Sequence, residues 1–316
     1  MTGPSLLGKK PGDALEWGRT TEEATMILVG VDGSRAGLEA AGWAAREAAL
    51  RRVPLRVVHA IPAWVLETGG DGPYAGVARW MREGAETVLA GAVDRARREV
   101  PGLEVEAVPI PGDPRPALVK AAAEAELLVV GNHGLGGFRG LLLGSVAQGV
   151  AGHAPCDVVM VREMATPPRG EVVVGVDGSP SDERVLEFAF AEASLRGAGL
   201  RAIHAWQPFD FGDYGFGGLP PGSDDLAGEG RERRLLGEVL AGWGERYPDV
   251  KVVEETVKGH PVEVLRHVSD GADLVVVGSH GRGELAGMIL GSVSQGVLQH
   301  AHCPVAVVRI RKPATT

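Results

Sequence analysis

Cysteine is scarce in this chain: Cys156 and Cys303 are the only two in 316 residues. Two thiols build no disulfide framework, and His153 and His302 nearby do not complete the three- or four-ligand spacing of a zinc site. Both cysteines are therefore expected to be small buried apolar groups. Long apolar runs are also missing, none approaching the roughly 18 residues that span a bilayer. The first residues lack an apolar signal core, so a cytoplasmic protein with no membrane partner is expected. Positive charge is in deficit, with 32 Lys and Arg against 41 Asp and Glu. A protein that coats nucleic-acid phosphates carries basic stripes. The local clusters here (Arg95, Arg97, Arg98; Arg231, Arg233, Arg234) alternate with acids at helical spacing and read as solvated helix faces. Nucleic acid is not an expected partner.

Glycine, by contrast, is abundant, at 47 residues. Much of it belongs to an internal repeat. The segment MILVGVDGS (26–34) recurs as VVVGVDGS (172–179), and GNHGLGGFRGLLLGSVAQGVAGHAPCDVVMVR (131–162) recurs as GSHGRGELAGMILGSVSQGVLQHAHCPVAVVR (278–309). The longer pair is identical at 18 of 32 positions without a gap. The offset is 145 at the first motif and 147 at the second, so duplication is the economical explanation.

Each copy alternates strand and helix. In the first, strands are expected at about 26–31, 55–60, 103–109, 126–131 and 157–161, with helices at about 35–51, 76–98, 114–123 and 144–152. Runs such as LLVVG and LVVVG are short, apolar and β-branched, which suits strands buried on both faces of a parallel sheet. The expected fold is α/β: two tandem, doubly wound, five-stranded parallel-sheet domains. Each would be a Rossmann-like α/β/α sandwich of strand order 3-2-1-4-5, taking ligands beyond the strands' carboxyl ends. The domains are placed at 25–162 and 171–310. The polar segment 163–170, with Pro167-Pro168, is read as a linker. Residues 1–24 lack periodicity and are expected to be disordered. Long connections follow the second strand of each copy, at 62–74 and 207–228.

The chemistry concentrates in the glycine spacing. Gly131 and Gly134 precede Gly144-Ser145 in the first copy, as Gly278 and Gly281 precede Gly291-Ser292 in the second; Gly136 and Gly283 lie inside the two loops. A strand ending in glycine presents bare backbone N–H groups, and the helix opened by Gly-Ser aims its positive end at the same place. That is a phosphate cradle, with Ser145 and Ser292 as N-caps or hydroxyl donors. The plainer alternative is that these glycines only make turns. The spacing survives in both copies while intervening residues drift (Leu135 to Arg282, Phe138 to Leu285, Arg139 to Ala286), and this favours the cradle. Asp32 and Asp177, after the first strand of each copy, are candidates to read a nucleoside or to form an Asx-turn, and both roles can hold together. His59 and His204 close the second strands and are expected to be structural.

The pattern G-x2-G-x9-G-S, after a strand and far downstream of V-G-V-D-G-S, resembles the ATP-binding class of the universal stress protein family. The resemblance covers about 25 to 310 as a tandem pair. It implies ATP, with or without Mg2+, in each copy. Asp32 and Asp177 would contact the nucleoside, and Gly30 and Gly175 would allow its approach. Gly131, Gly134, Gly144 and Ser145 would hold phosphates in one copy, as Gly278, Gly281, Gly291 and Ser292 would in the other, with backbone help from Val146 and Val293. His133 and His280 stand where the family often has arginine or lysine, which implies weaker or pH-sensitive phosphate binding. Glu284, opposite Gly137, puts a carboxylate in the second loop and makes that site the less favourable one.

The P-loop sequence G-x4-G-K-[ST] is missing, as are H-x-G-H and S-G-G-x-D-S, and no acidic pair stands beside the glycine loop to hold two metals. The chain is therefore expected to bind ATP as a switch rather than as an efficient catalyst. Two alternatives stay open: a slow ATPase or autokinase using His133 or His280 with Ser145 or Ser292, and a nucleotide-free interaction scaffold. The apolar terminal strands DVVMVR and PVAVVR would be exposed sheet edges. The resemblance implies that they pair, making an intramolecular pseudo-twofold dimer. Association of whole chains into a homodimer and an unidentified protein partner also stay open.

Overall fold

The short apolar runs are strands, and most of their side chains are withdrawn from water on both faces of one sheet. The computed structural model describes residues 26–70, 72–134, 143–164, 166–207, 223–281 and 290–310, with 223–227 as helical backbone only. The expectation of disorder over 1–24 lies outside these residues, as do Gly136, Gly283 and Glu284.

The first repeat contains β1 (Ile27–Gly30), α1 (Arg35–Arg51), β2 (Leu55–Ile61), α2 (Ala63–Glu67), α3 (Ala75–Glu99) and β3 (Val105–Pro111). Then come α4 (Pro114–Ala121), β4 (Leu127–Gly131), α5 (Ser145–His153) and β5 (Asp157–Val161). The second repeat contains β6 (Glu171–Gly175), α6 (Asp182–Arg196), β7 (Gly199–Trp206), α7 (Ser223–Leu240) and α8 (Trp243–Arg246). It continues with β8 (Val252–Lys258), α9 (Pro261–Val268), β9 (Leu274–Gly278), α10 (Ser292–His300) and β10 (Val305–Val308).

Three departures from expectation have local causes. The connection after β2 carries a short helix, α2, because Val65 buries against Ile61 and Ala78. The connection after β7 is shorter than the composition suggests, since α7 already begins at Ser223. Helix α6 starts at Asp182, where alignment with α1 would start it two residues earlier. In α1 the Ser34 side chain caps the helix by accepting from Gly37 N at 3.1 Å. In the second repeat Ser179 and Ser181 bond each other's hydroxyls at 2.8 Å instead.

The strand order is β3-β2-β1-β4-β5 in the first half and β8-β7-β6-β9-β10 in the second, so each half is wound 3-2-1-4-5. Within each half every pairing is parallel, for example Ile27 with Leu55 and with Leu127. The halves meet where β5 pairs antiparallel with β10, Val159 opposite Ala306, and one ten-stranded sheet results. The antiparallel seam reverses strand direction between the halves, so their carboxyl edges face opposite sides of the sheet.

Alanines line the face of α1 that packs on the sheet: Ala40, Ala41, Ala44, Ala45 and Ala48 are inaccessible to solvent. Their small side chains let the helix lie close to the strands. On the opposite face each buried leucine, such as Leu128 of β4 or Leu265 of α9, contributes about 1.5–3 kcal/mol by leaving water.

Across the seam the contacts are reciprocal. Arg162 donates to the carbonyls of Leu298 and Ala301 at the end of α10, and Arg309 donates to Gly152 O in the last turn of α5 at 2.6 Å. A cation at a helix carboxyl end meets its negative pole. On the other face, Glu47 and Arg51 of α1 interlock with Glu192 and Arg196 of α6. Arg51 bonds Glu47, Glu126 and Glu192, while Arg196 bonds Glu47 and Glu192. The Arg51 guanidinium lies over the Phe188 ring and that of Arg196 over Trp43. Burial raises the Glu47 carboxyl's pKa, but Arg196 and Arg51 more than offset it and leave it below the usual carboxylate range. Glu192 moves the other way, raised by burial and then by the Glu47 charge.

Candidate functional site

In each half β1 or β6 lies between strands reached by connections on opposite sides, so a crevice opens at its carboxyl end. The sequence supplies that crevice with an aspartate and a glycine loop. Asp32 Oδ1 accepts from Ser34 N at 3.0 Å, and Asp177 Oδ1 accepts from Ser179 N at 3.0 Å, so both form the Asx-turn. The second carboxylate oxygen of each points to the glycine loop. A Cβ built on Gly134 would lie 2.4 Å from Asp32 Oδ2, and one on Gly281 would lie 2.2 Å from Asp177 Oδ2. Gly134 and Gly281 are thus brought against the aspartates from a distance of about a hundred residues in sequence.

The other glycines serve close approach. At Gly131 a Cβ would come within 2.7 Å of the Ala36 carbonyl carbon, so β4 can end against the start of α1 only without a side chain. At Gly278 the tightest neighbour is His280 O, at 3.0 Å. Gly30 and Gly175 make room for Leu118 and Leu265, which a Cβ would meet at 2.8 and 2.9 Å. Gly144 N donates to Asn132 O and Gly291 N to Ser279 O, each at 2.8 Å, which fixes the return of the loop to the helix.

Helices α5 and α10 have Gly144 and Gly291 at the N-cap, with no side-chain cap. The expected cap role of Ser145 and Ser292 is therefore corrected: both stand at the first helical position, and both are exposed at the helix's positive end. Val146 and Val293 follow them, half-buried against the core. His133 is exposed; His280 is half-buried with Nδ1 3.3 Å from Ser279 Oγ.

In the second repeat these residues converge on one cavity of about 430 Å3. Asp177, Gly278, His280, Gly281, Ser292 and Val293 all line it. Residues that the motif reading passed over line it too: Asp182, Trp206 and Glu232. The signal for Asp182 was available, since it stands where the first repeat has Gly37. Asp182 accepts from Gly178 N at 2.6 Å and from Asp177 N at 3.3 Å. Burial, and then the Asp177 charge, push its carboxyl up to about 6. His204 holds Val176 O through Nδ1 at 2.9 Å and Glu232 Oε2 through Nε2 at 3.0 Å. His59 makes the matching contact to Val31 O at 2.8 Å.

A larger cleft of about 670 Å3 lies at the seam and lacks the glycine loop. Its charges are internally matched, Asp157 bonding Arg184 at 2.6 Å and Arg309 N at 2.7 Å. Cys156, expected to be buried, is half-buried and lines this cleft, whereas Cys303 is buried as expected; desolvation pushes each thiol up to about 12. Neither is a reactive thiolate near neutral pH. Among the described residues no group of three His, Cys, Asp or Glu is placed to hold a metal. No helix among them is long and apolar enough to cross a membrane.

Two doubly wound α/β units in one chain, each with an aspartate and a glycine loop at its switch point, define the class. A family model described as "Universal stress protein family" matches residues 25–162 and again 169–309. Universal stress protein Rv2623 of Mycobacterium tuberculosis is 40% identical over 291 residues, covering 90% of this chain and 96% of that protein. Universal stress protein Rv2005c of the same organism is 41% identical over 293 residues, covering 90% and 96%. A crystal structure of a universal stress protein from Archaeoglobus fulgidus superposes with a TM-score of 0.64 at 23% identity, covering 91% of this chain and 97% of that one. It has the same fold. The chain belongs to the universal stress protein family, with two family domains in tandem.

Proposed function

We propose that each repeat binds one adenine nucleotide, with ATP the expected ligand, and that the chain works in the cytoplasm as a nucleotide-dependent switch. The observation that carries this reading is the convergence of Asp177, Gly278, Gly281, Gly291, Ser292 and Val293 on one cavity. Asp32 and Asp177 would read the nucleoside. The bare amides of Gly131, Gly134 and Gly144, and of Gly278, Gly281 and Gly291, would hold phosphates at the positive ends of α5 and α10, aided by Ser145 and Ser292. His133 and His280 stand on the same loops. Any Mg2+ would arrive with the phosphates. The seam between β5 and β10 would let the two repeats act as a pseudo-dimer.

The test is mass analysis of nucleotide carried through purification, followed by calorimetric titration with ATP. Adenine nucleotide at up to two per chain is expected, and Asp32→Ala should remove one of the two. Unchanged stoichiometry and affinity in that variant would sink the assignment of site one. Bound ATP that stays intact for hours supports a switch; steady loss of its γ-phosphate would favour the slow ATPase.

A further inference from the structure

The carboxyl halves of α1 and α6 bring four charged side chains together at the seam, and a fifth joins them on one side only. The side chains of Glu47 and Glu192 are inaccessible to solvent, and their carboxyl groups meet within hydrogen-bond reach. Arg51 and Arg196 each contact both carboxylates, Arg51 meeting Glu47 at 2.6 Å. The Phe188 and Trp43 rings cover one face of each guanidinium, at 5.6 and 5.5 Å. To this point the cluster is twofold and balanced. Glu126, just ahead of β4, breaks the balance by accepting from Arg51 at 3.1 Å. Its counterpart ahead of β9, Asp273, turns instead to the amides of Gly170 and Glu171, at 2.9 and 3.4 Å. Three carboxylates therefore share two guanidiniums, and no other cation reaches them among the described bonds. The neighbouring charges are paired elsewhere. Arg95 and Glu99 of α3 pair with Glu39 and Arg46 of α1. Asp157 of β5 is bonded by Arg184 and by the Arg309 amide, Glu187 faces Arg184 and Arg246, and Glu171 of β6 pairs with Arg201.

We propose that the seam is a proton-binding site: the Glu47–Glu192 carboxyl pair takes up one proton in place of the missing third cation, and the repeats hold each other more tightly with it than without it. The proton comes from solvent and sits on one carboxyl oxygen, which then donates to the other carboxylate. Two desolvated carboxylates in contact do not both stay ionised where cations are short. Burial, and then the Glu47 charge, push Glu192 up to about 7, while Glu47, despite its burial, is held low by Arg196 and Arg51. The native pair thus binds the proton more tightly than the unfolded chain. Its contribution to stability is complete below the unfolded value of 4.5 and is lost as pH rises through about 7. The seam is a pH-sensitive clamp that loosens in mild alkali.

The test follows the carboxyl signals of full-length protein carrying carbon-13 at the glutamate side-chain carboxyls, from about pH 4 to about pH 8.5. A signal titrating near neutrality is expected, well apart from the other glutamates. Glu126→Gln, at a partly exposed position, should lower that midpoint by about one unit, and Glu192→Gln should abolish it. In urea, wild type should lose stability relative to Glu192→Gln between about pH 6 and about pH 8, with a slope of up to about one proton. Glu47→Gln takes its place should Glu192→Gln fail to fold. Wild-type glutamate signals that all finish titrating below about pH 5.5 overturn the proposal without any variant. A midpoint unmoved by Glu126→Gln, or a stability difference that stays flat with pH, overturns it as well.

Discussion

At the seam, Trp43, Glu47 and Arg51 of one repeat face Phe188, Glu192 and Arg196 of the other, and each arginine stacks on the opposite repeat's aromatic ring. At the carboxyl edges the same correspondence fails. Gly37 is matched by Asp182, Ile61 by Trp206, and His59 lacks the counterpart of the His204–Glu232 contact among the described bonds. The helices that meet at the seam are the helices that begin at the sites. Their carboxyl halves keep paired chemistry, because a change on one side strands a buried partner on the other. Their amino ends face a ligand crevice and are free to diverge. A duplicated chain can therefore keep one scaffold and hold two unlike sites.

The largest effect should come from breaking the seam. Glu47 and Glu192 are fully buried at the carboxylate, so removing one guanidinium leaves both to share the other. Arg196→Met is expected to cost about 3–5 kcal/mol, read from the midpoint and slope of urea unfolding. Arg51→Met should cost a similar amount if the seam is truly reciprocal. A loss below about 1 kcal/mol for either would show that side to be solvated, as in a surface pair.

The next test separates the ends of β2 and β7. Ile61 packs with Val65, Ala78 and Ala85 beneath α2, so Ile61→Ala should leave a hole worth about 3 kcal/mol and lower the melting temperature. Trp206 is half-buried and lines the second cavity. Trp206→Ala should cost less stability and weaken adenine-nucleotide binding at the second site by severalfold. The opposite pattern would mean that Trp206 is structural and Ile61 the ligand wall.

A smaller asymmetry is expected at the loop glycines. Gly131→Ala drives a methyl into the Ala36 backbone at 2.7 Å, which cannot rotate away, whereas Gly278→Ala meets His280 O at 3.0 Å. Overpacking costs about 1–3 kcal/mol, so the first should sit near the top of that range and the second near the bottom. Equal melting-temperature losses would remove the claim that β4 and α1 are the tighter pair.

The fold was largely legible from the chain because its signals are local. Apolar β-branched runs mark the strands, and the duplicated segments fix which elements correspond. α1 is bounded as expected, at Arg35–Arg51, since Ser34 caps it and Arg52 closes it in the left-handed conformation. The glycines that end β4 and open α5 were legible for the same reason. What the next glycine lies against was not: that Gly134 meets the Asp32 carboxylate is a contact across about a hundred residues, invisible to spacing. The cap at α5 was misplaced by one position, because Gly and Ser both suit an N-cap and composition does not separate them. Asp182 went unremarked although the repeat exposed it, since an acid at the start of a helix has an ordinary explanation in the helix dipole. Its burial and its neighbour Asp177 are tertiary facts.

That difference predicts a pH dependence confined to the second repeat. Burial, with Asp177 beside it, raises the Asp182 carboxyl from 3.8 to about 6 in the folded chain. The native state therefore holds this proton more tightly than the unfolded chain does. Its contribution to stability is complete below the unfolded value and is lost as pH rises through about 6. Asp177, His204, Glu232 and His280 face the same cavity and are common to wild type and variant. Asp182→Asn cannot titrate and should lack the loss. Measured against wild type, its melting temperature should move in the stabilising direction between pH 4 and pH 7, on top of a constant penalty for the altered cap at Gly178. A difference that stays flat over that range would place Asp182 in water rather than in the cavity wall. The two repeats would then differ in residue but not in electrostatics.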